Sequence, residues 1–370
     1  MAAPLARLRF DVERSRGRRY PEPADHYRDD FQRDRHRTVH ARAFRRMVDK
    51  TQVFASGVSD HNRNRLTHTL EVAQISHSVA VALGLNETLA ETLALAHDIG
   101  HPPFAHAGEE ELNRQMNRFG DSFDHNQQGL RIVEQFESRY ARFPGLNLTF
   151  EVREGIVKHS RDFAPGEVSA FDEYLPGYRP PLEAQLIDLC DEVAYNTADL
   201  DDAYSAGLVP LDVVRQAVPE FDRLWVGMAE QFPLAPERVR MHEVVRALIS
   251  HLVVGLIEGT VAAAAHLDDV EAVRKEPVRV CQFGDAAGHT DLQLKLFLRK
   301  HVYESAQLAQ ERATSTARIA DLFAHFLAKP QDLPPSYREA MRQQPAHRVV
   351  CDYIAGMTDG FLNRTWSQLA

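Results

Sequence analysis

Cysteine is scarce: Cys190, Cys281 and Cys351 lie far apart in 370 residues, with no CxxC spacing. That excludes a disulfide framework and a cysteine-rich zinc site, and makes a reducing cytoplasm the expected compartment. Long apolar runs are also missing. The most apolar stretch, 252-LVVGLIEGTVAAAA-265, is short and carries Glu258. A membrane helix needs about 20 apolar residues, so no membrane partner is expected. The N-terminus, MAAPLARLRFDVERSRGRRY, lacks the apolar core of a secretion signal. Strand-like alternation is rare, 277-PVRVCQF-283 being the best candidate, and the chain reads as mostly α-helical. Broad positive charge is absent too. The net charge is -10, although residues 1–50 hold 13 arginines and one lysine against eight acids. An acidic body with a basic arm argues against general duplex-DNA binding. It leaves a pocket for an anionic ligand, an arm docking on a neighbouring subunit, or a solvated tail.

Histidine, by contrast, is concentrated. Ten of 18 precede position 126: His26, His36, His40, His61, His68, His77, His97, His101, His106 and His125. Several have carboxylates between them, which makes a metal or acid–base site a candidate. From Arg65 two apolar stripes run at helical spacing. Leu66, Leu70, Ala73, His77 and Ala80 form one, and His68, Val72, Ile75, Val79 and Leu83 the other, before Gly84 ends the helix. A helix apolar on two stripes is mostly buried, so His68 lies on a face that continues into the core. A second helix is expected over 88–99, and others over 182–206, 236–275 and 291–328. Segments 55–64, 164–181 and 330–335, rich in Gly, Pro, Ser or Asn, read as loops.

The stretch 93-LALAHDIGHPPFAHAGEEE-111 joins these threads. Gly100 before Pro102 and Pro103 reads as a helix stop, with Gly100 in the left-handed cap. His97 and Asp98 then occupy the last turn, where the negative end of the helix favours a cation. An imidazole and a carboxylate suit a divalent first-row metal, which takes three or four protein ligands. His68 is the third candidate, and the helix from Leu182 offers a fourth. There Asp188, Asp191, Tyr195, Asp199 and Asp202 share one face. Such a row is either solvated or opposed by a metal and a polar ligand. Asp191 lies on that row and Glu192 does not.

Beyond these patterns the chain carries RLTHT (65–69), AHDIGHPPFAHAGE (96–109), FDHNQQGLR (123–131) and LCDEVAYNTADLDD (189–202). It also carries SRGRRYPEP (15–23), FQRDRHRTVHARAFRR (31–46), KTQVF (50–54) and VVCDYIAGMTDGF (349–361). Across nearly the whole chain this ordered set resembles the HD phosphohydrolase superfamily and, within it, the deoxyguanosine triphosphate triphosphohydrolase-like (dNTPase) family. The resemblance implies a nearly all-α fold and a homo-oligomer. It implies one divalent metal, Mn2+ or Mg2+, on His68, His97, Asp98 and Asp191. The implied reaction converts a 2′-deoxynucleoside triphosphate to deoxynucleoside and inorganic triphosphate. By the same resemblance His106 is the catalytic histidine near the α-phosphate, Glu109 orients it, and His125 lies near the phosphates.

Arg65, with Arg46 and Lys50 behind it, is expected to meet the triphosphate. Gln52 and Tyr195 are expected to touch the sugar or base, and Asp199 to accept from the 3′-hydroxyl. His61 and His77 read as structural, and His101 as either structural or functional. Two departures from the family pattern bear on substrate choice: Ala198 stands where a histidine is expected, and 302–313 lacks basic character. The domain reading is a basic arm over 1–24, an HD core over 25–215, and a C-terminal helical region over 216–370 packed on it as one continuous globular unit. Rival readings are an HD enzyme acting on another nucleotide phosphoester, or a regulatory protein binding nucleotides or single-stranded nucleic acid through 14-RSRGRR-19. A dNTP effector and weak single-stranded DNA binding are compatible with the first reading.

Overall fold

The structure, a computed structural model, describes residues 3–53 and 63–369. His61, Phe54 and most of the expected 55–64 loop lie outside the described residues. Among the described residues there is no strand, only isolated bridges such as Thr51 with Asn64. The helices in chain order are α1 (Asp30–Val39), α2 (Arg42–Arg46), α3 (Arg65–Leu83), α4 (Glu87–Ala96), α5 (Ala105–Asn117), α6 (His125–Arg131), α7 (Phe150–Val157), α8 (Leu182–Ser205) and α9 (Leu211–Ala217). Then come α10 (Pro219–Gln231), α11 (Glu237–Ala263), α12 (Val270–Lys275), α13 (Asp285–Leu298), α14 (Ala306–Ala328), α15 (Pro335–Ala340), α16 (Ala346–Ala355) and α17 (Asp359–Leu369).

Helix α3 starts at a capping box, in which the Asn64 side chain accepts from Thr67 N and Thr67 Oγ1 accepts from Asn64 N. It ends at Gly84 with φ +81. The stripe His68, Val72, Ile75, Val79 and Leu83 is buried throughout, whereas the other is not, since Leu70 and His77 are exposed; the helix packs against α4, α8 and α11. The segment 277–283 is not a strand: it opens on a bend at 277–278 and continues without regular structure. Its backbone has no neighbouring strand, and Val280 N donates instead to Gln185 Oε1 at 2.9 Å.

Most of the apolar run at 252–265 lies in the second half of helix α11. The helix begins at Glu237 and is long and apolar enough to cross a membrane by length and composition only, a test that the core helix of a soluble protein also passes. It buries Met241, Val244, Leu248, Leu252 and Leu256, and it packs on α8, α10 and α13.

The arm is turned inward. Leu5, Leu8 and Phe10 are buried. Arg7 donates to Leu267 O at 2.7 Å, and Arg18 to Asp30 Oδ1 at 2.9 Å and to Asp34 and Asn147 O. Arg7 and Arg18 are thus anchored to the body of the chain, while Arg14, Arg16 and Arg19 stay exposed.

Among the described residues the buried apolar side chains form two clusters. The larger gathers α1, α3, α4, α7, α8, α11 and α13. The smaller joins Leu112 and Met116 of α5 to Ile319, Phe323 and Phe326 of α14, Ile354 of α16 and Leu362 of α17. Helix α5 therefore packs with the C-terminal helices and carries part of the expected site with it.

Gly100 differs from expectation. It is not among the left-handed residues, which here are Phe104 (φ 62) and Ala105 (φ 51) at the start of α5. Gly100 is needed because α6 crosses it closely. A Cβ there would lie 2.0 Å from His125 O and 2.3 Å from Gly129 N, both backbone atoms. Gly100→Ala is expected to lower stability by at least the ~1–3 kcal/mol of ordinary overpacking, read by denaturant unfolding. An unchanged unfolding midpoint would contradict this contact.

Candidate metal and acid–base centre

The last turn of α4 and its C-terminal extension deliver two of the four expected ligands. His97 Nδ1 lies 2.6 Å from Ala94 O, one turn back, so it carries the proton and donates. Nε2 is thereby left bare, and it is buried without a hydrogen-bond partner. Asp98 accepts from Arg65 Nη1 at 2.5 Å. Burial pushes the Asp98 carboxyl up, but Arg65 and the surrounding histidines hold it well below the usual carboxylate range. His68 Nε2, from the first turn of α3, lies 2.8 Å from Asp191 Oδ1 and 3.9 Å from Asp98 Oδ2. His97 Nε2 lies 3.4 Å from Asp98 Oδ1 and 3.8 Å from Asp191 Oδ1. Burial also opposes the Asp191 charge, and the His68 hydrogen bond reverses this and lowers its pKa.

This donor set fits a divalent cation. The separations match ligands about 2.0–2.2 Å from a common centre. His97 Nε2 is buried without a hydrogen-bond partner. Leaving such groups unmet is costly unless an ion takes them. The two carboxylates supply charge, and Arg65 tempers it.

Beside this cluster lies a histidine–glutamate–histidine set. Glu109 Oε1 accepts from His125 N and from His125 Nδ1, both at 2.8 Å, while Oε2 lies 3.5 Å from His106 Nδ1. Burial raises the Glu109 pKa, but bonds to His106 and His125 carry it well below the usual range. His101 joins the two groups. Its Nε2 lies 3.2 Å from Asp98 Oδ1, and its ring stacks on His125 at 3.9 Å between centroids.

An HD domain model matches residues 65–196, and a phosphohydrolase-associated domain matches residues 281–368. A deoxyguanosinetriphosphate triphosphohydrolase-like protein of Azoarcus sp. (strain BH72) is 45% identical over 367 residues, 97% of this chain and 95% of that protein. Proteins of the same description from Bordetella pertussis and Geobacter metallireducens are each 42% identical, over 99% and 94% of this chain and 96% and 90% of their own lengths. The chain belongs to the HD-domain, deoxyguanosinetriphosphate triphosphohydrolase-like family.

In this HD phosphohydrolase the two groups open into one cavity of about 1070 Å³. Arg65, His68, Asp98, His106, His125 and Asp191 line it, as do Gln52, Tyr195 and Asp199. Two expected cations lie off its wall. Arg46 is exposed, and Lys50 is buried with Nζ donating to His101 O and to Ala355 O at 3.2 Å. A buried ammonium without a carboxylate partner takes carbonyls instead, and burial lowers the Lys50 pKa to about 7. The structure places cations that were not expected. Arg312 and Arg318 of α14 also line the cavity, Arg312 within the stretch read as lacking basic character.

The acidic face of α8 is not solvated. Asp188 meets His159 and Arg279, Asp191 meets His68, Asp199 accepts from Tyr303 Oη, and Asp202 accepts from Arg63. Burial raises the Asp199 pKa to about 7, against the lowering effect of the Tyr303 hydrogen bond. His68 and Arg63 lower it further and Asp202 raises it. Because the folded pKa exceeds the unfolded one, the folded state binds more protons between about pH 4 and 7. Asp199 therefore costs stability increasingly as pH rises through that window. Asp199→Asn is expected to unfold at a higher temperature than the parent at pH 8, with the gap closing towards pH 4. A gap independent of pH would show that the carboxyl is not raised.

Proposed function

We propose that this phosphohydrolase hydrolyses 2′-deoxynucleoside triphosphates, dGTP or several dNTPs, to deoxynucleoside and inorganic triphosphate. The observation that supports the reading is that His68, Asp98 and Asp191 line the same cavity as His106 and His125, the two histidines that face Glu109. The relatives' name, which refers to deoxyguanosine triphosphate, supports the substrate class.

His68, His97, Asp98 and Asp191 would hold Mn2+ or Mg2+. When bound, the ion supplies Lewis-acid polarisation of a phosphoryl oxygen. Arg65, Arg312 and Arg318 offset the triphosphate charge. In the reaction a water oxygen forms a bond to the α-phosphorus, the bond from that phosphorus to the 5′ oxygen breaks, and a proton reaches the 5′ oxygen. His106 and His125, both held by Glu109, are the groups placed to move that proton. Tyr195, which lines the cavity, would pack against the deoxyribose, and the Asp199–Tyr303 pair would take the 3′-hydroxyl. The three cysteines are free and buried, in keeping with a cytoplasmic enzyme.

The test is a product assay with Mn2+ or Mg2+ and each dNTP alone and all four mixed. Triphosphate from single dNTPs supports the reading and ranks the bases. Triphosphate only from the mixture supports it and shows nucleotide activation. No triphosphate from metal-loaded protein would overturn it and point to another phosphoester.

A further inference from the structure

Asp188 opens the acidic row of α8, yet it serves a residue outside the metal set. Its Oδ1 lies 2.7 Å from His159 Nδ1 and accepts from Ser160 N at 2.8 Å, and its Oδ2 pairs with Arg279. Arg279 comes from the irregular segment 277–283. It also donates to Lys158 O at 2.5 Å, and its Nε lies 3.0 Å from Asp162 Oδ2. Asn126 Nδ2 closes the frame by donating to His159 O at 2.6 Å. Helix α8, helix α6 and a segment far along the chain thus fix one imidazole. The turn that carries it is strained, since Ser160, a non-glycine, holds φ +67. Strain of this kind persists where the surroundings over-determine it, and it concentrates at functional sites.

His159 is 5% exposed and lines the cavity. Its ring meets His97 edge-on at 5.1 Å between centroids. One of its ring nitrogens is within 4.8 Å of donor atoms of both His97 and Asp191. With Nδ1 turned to Asp188, Nε2 is directed to the opposite side of the ring.

We propose that His159 is a catalytic residue whose Nε2 accepts a hydrogen bond from the attacking water, with Asp188 and Arg279 as the positioning residues that aim it. This rests on the phosphohydrolase reading of the cavity. In the step, the water oxygen forms the new bond to phosphorus, the bond from phosphorus to the leaving oxygen breaks, and one water proton ends on that oxygen. His159 holds one O–H of the water and so directs a lone pair at phosphorus. A displacement of about 1 Å in such a group costs roughly 10²-fold in rate.

The experiment compares His159→Ala, His159→Gln, His159→Asn and Arg279→Ala in the full-length, Mn2+-loaded protein. Bound Mn2+ is read by electron paramagnetic resonance, alongside kcat and KM for a dNTP and for bis(4-nitrophenyl) phosphate. His159→Ala should retain Mn2+ and keep KM, while kcat falls by roughly 10²-fold. Glutamine, whose amide oxygen reaches the position of Nε2, should recover part of the loss. Asparagine, which mimics only Nδ1, should recover none. Arg279→Ala should lower kcat by about 10-fold or more, the effect of removing an outer-shell support.

Loss of Mn2+ from His159→Ala would overturn the proposal in favour of a ligand role. Equal recovery by asparagine and glutamine would reduce His159 to a structural partner of Asp188. An unchanged kcat would remove it from the reaction. A parent that cleaves the diester but no dNTP would sink the substrate reading alone, and the His159 comparison would then be decided on the diester.

Discussion

Asp191→Ala is expected to emerge from Mn2+ equilibration without stoichiometric metal and without measurable turnover. The cluster offers two carboxylates, and Asp98 is already paired with Arg65 at 2.5 Å. Once Asp191 is removed, the charges of Asp98 and Arg65 cancel, and a divalent ion enters a buried site of no net charge. His68 also loses its partner at 2.8 Å. Loss of an outer-shell support alone costs 10–100-fold in affinity or activity, so loss of a ligand should exceed about 100-fold in affinity. Without the ion, several kcal/mol of transition-state stabilisation are lost, which corresponds to a rate decrease of at least about 10³-fold. Elemental analysis of the dialysed protein and the product assay read the two effects. Full metal occupancy in the variant would place the fourth ligand elsewhere.

His106→Ala, His125→Ala and Glu109→Gln should each keep the metal and lose about 10²–10⁴-fold in turnover, the usual weight of positioned acid–base groups. The geometry adds a sharper expectation. One oxygen of Glu109 holds both the backbone and the ring of His125, and the other faces His106. Groups that act as a unit show strongly non-additive losses. Glu109→Gln combined with His106→Ala should therefore be little worse than the poorer single variant. Multiplying losses would mean that the two act independently, and near-normal turnover in His106→Ala would remove it from proton transfer.

Local periodicity and chain punctuation made much of the molecule legible. The two stripes of α3 placed His68 at a buried start, and the α8 row singled out Asp191 over Glu192. Both depend on helical spacing, which sequence displays directly. Other features depend on what lies opposite. Lys50 was expected to face phosphate because a lysine signals charge, but its direction is set by two carbonyls, one on α16. Gly100 was given a helix-cap role, whereas its small size serves the passage of α6. His159, Asp188 and Arg279 carry no shared motif, and the last stands 91 positions beyond the carboxylate it pairs with. Only the folded chain brings them to one point. The relatives add the family and the domain matches, while the geometry assigns individual side chains to the cavity.

The division of apolar packing into two clusters separates two properties that assays often treat as one. The proposed metal donors are mounted on α3, on α4 and its extension, and on α8, which belong to the larger cluster. His106 and Glu109 ride on α5, which is seated among α14, α16 and α17 in the smaller one. A lesion under α5, remote from every ligand, can thus silence the enzyme while its metal content reads normal. In a survey of variants or preparations, metal stoichiometry would report the integrity of one half of the machine, and the active fraction would have to be counted by titration of the reaction itself.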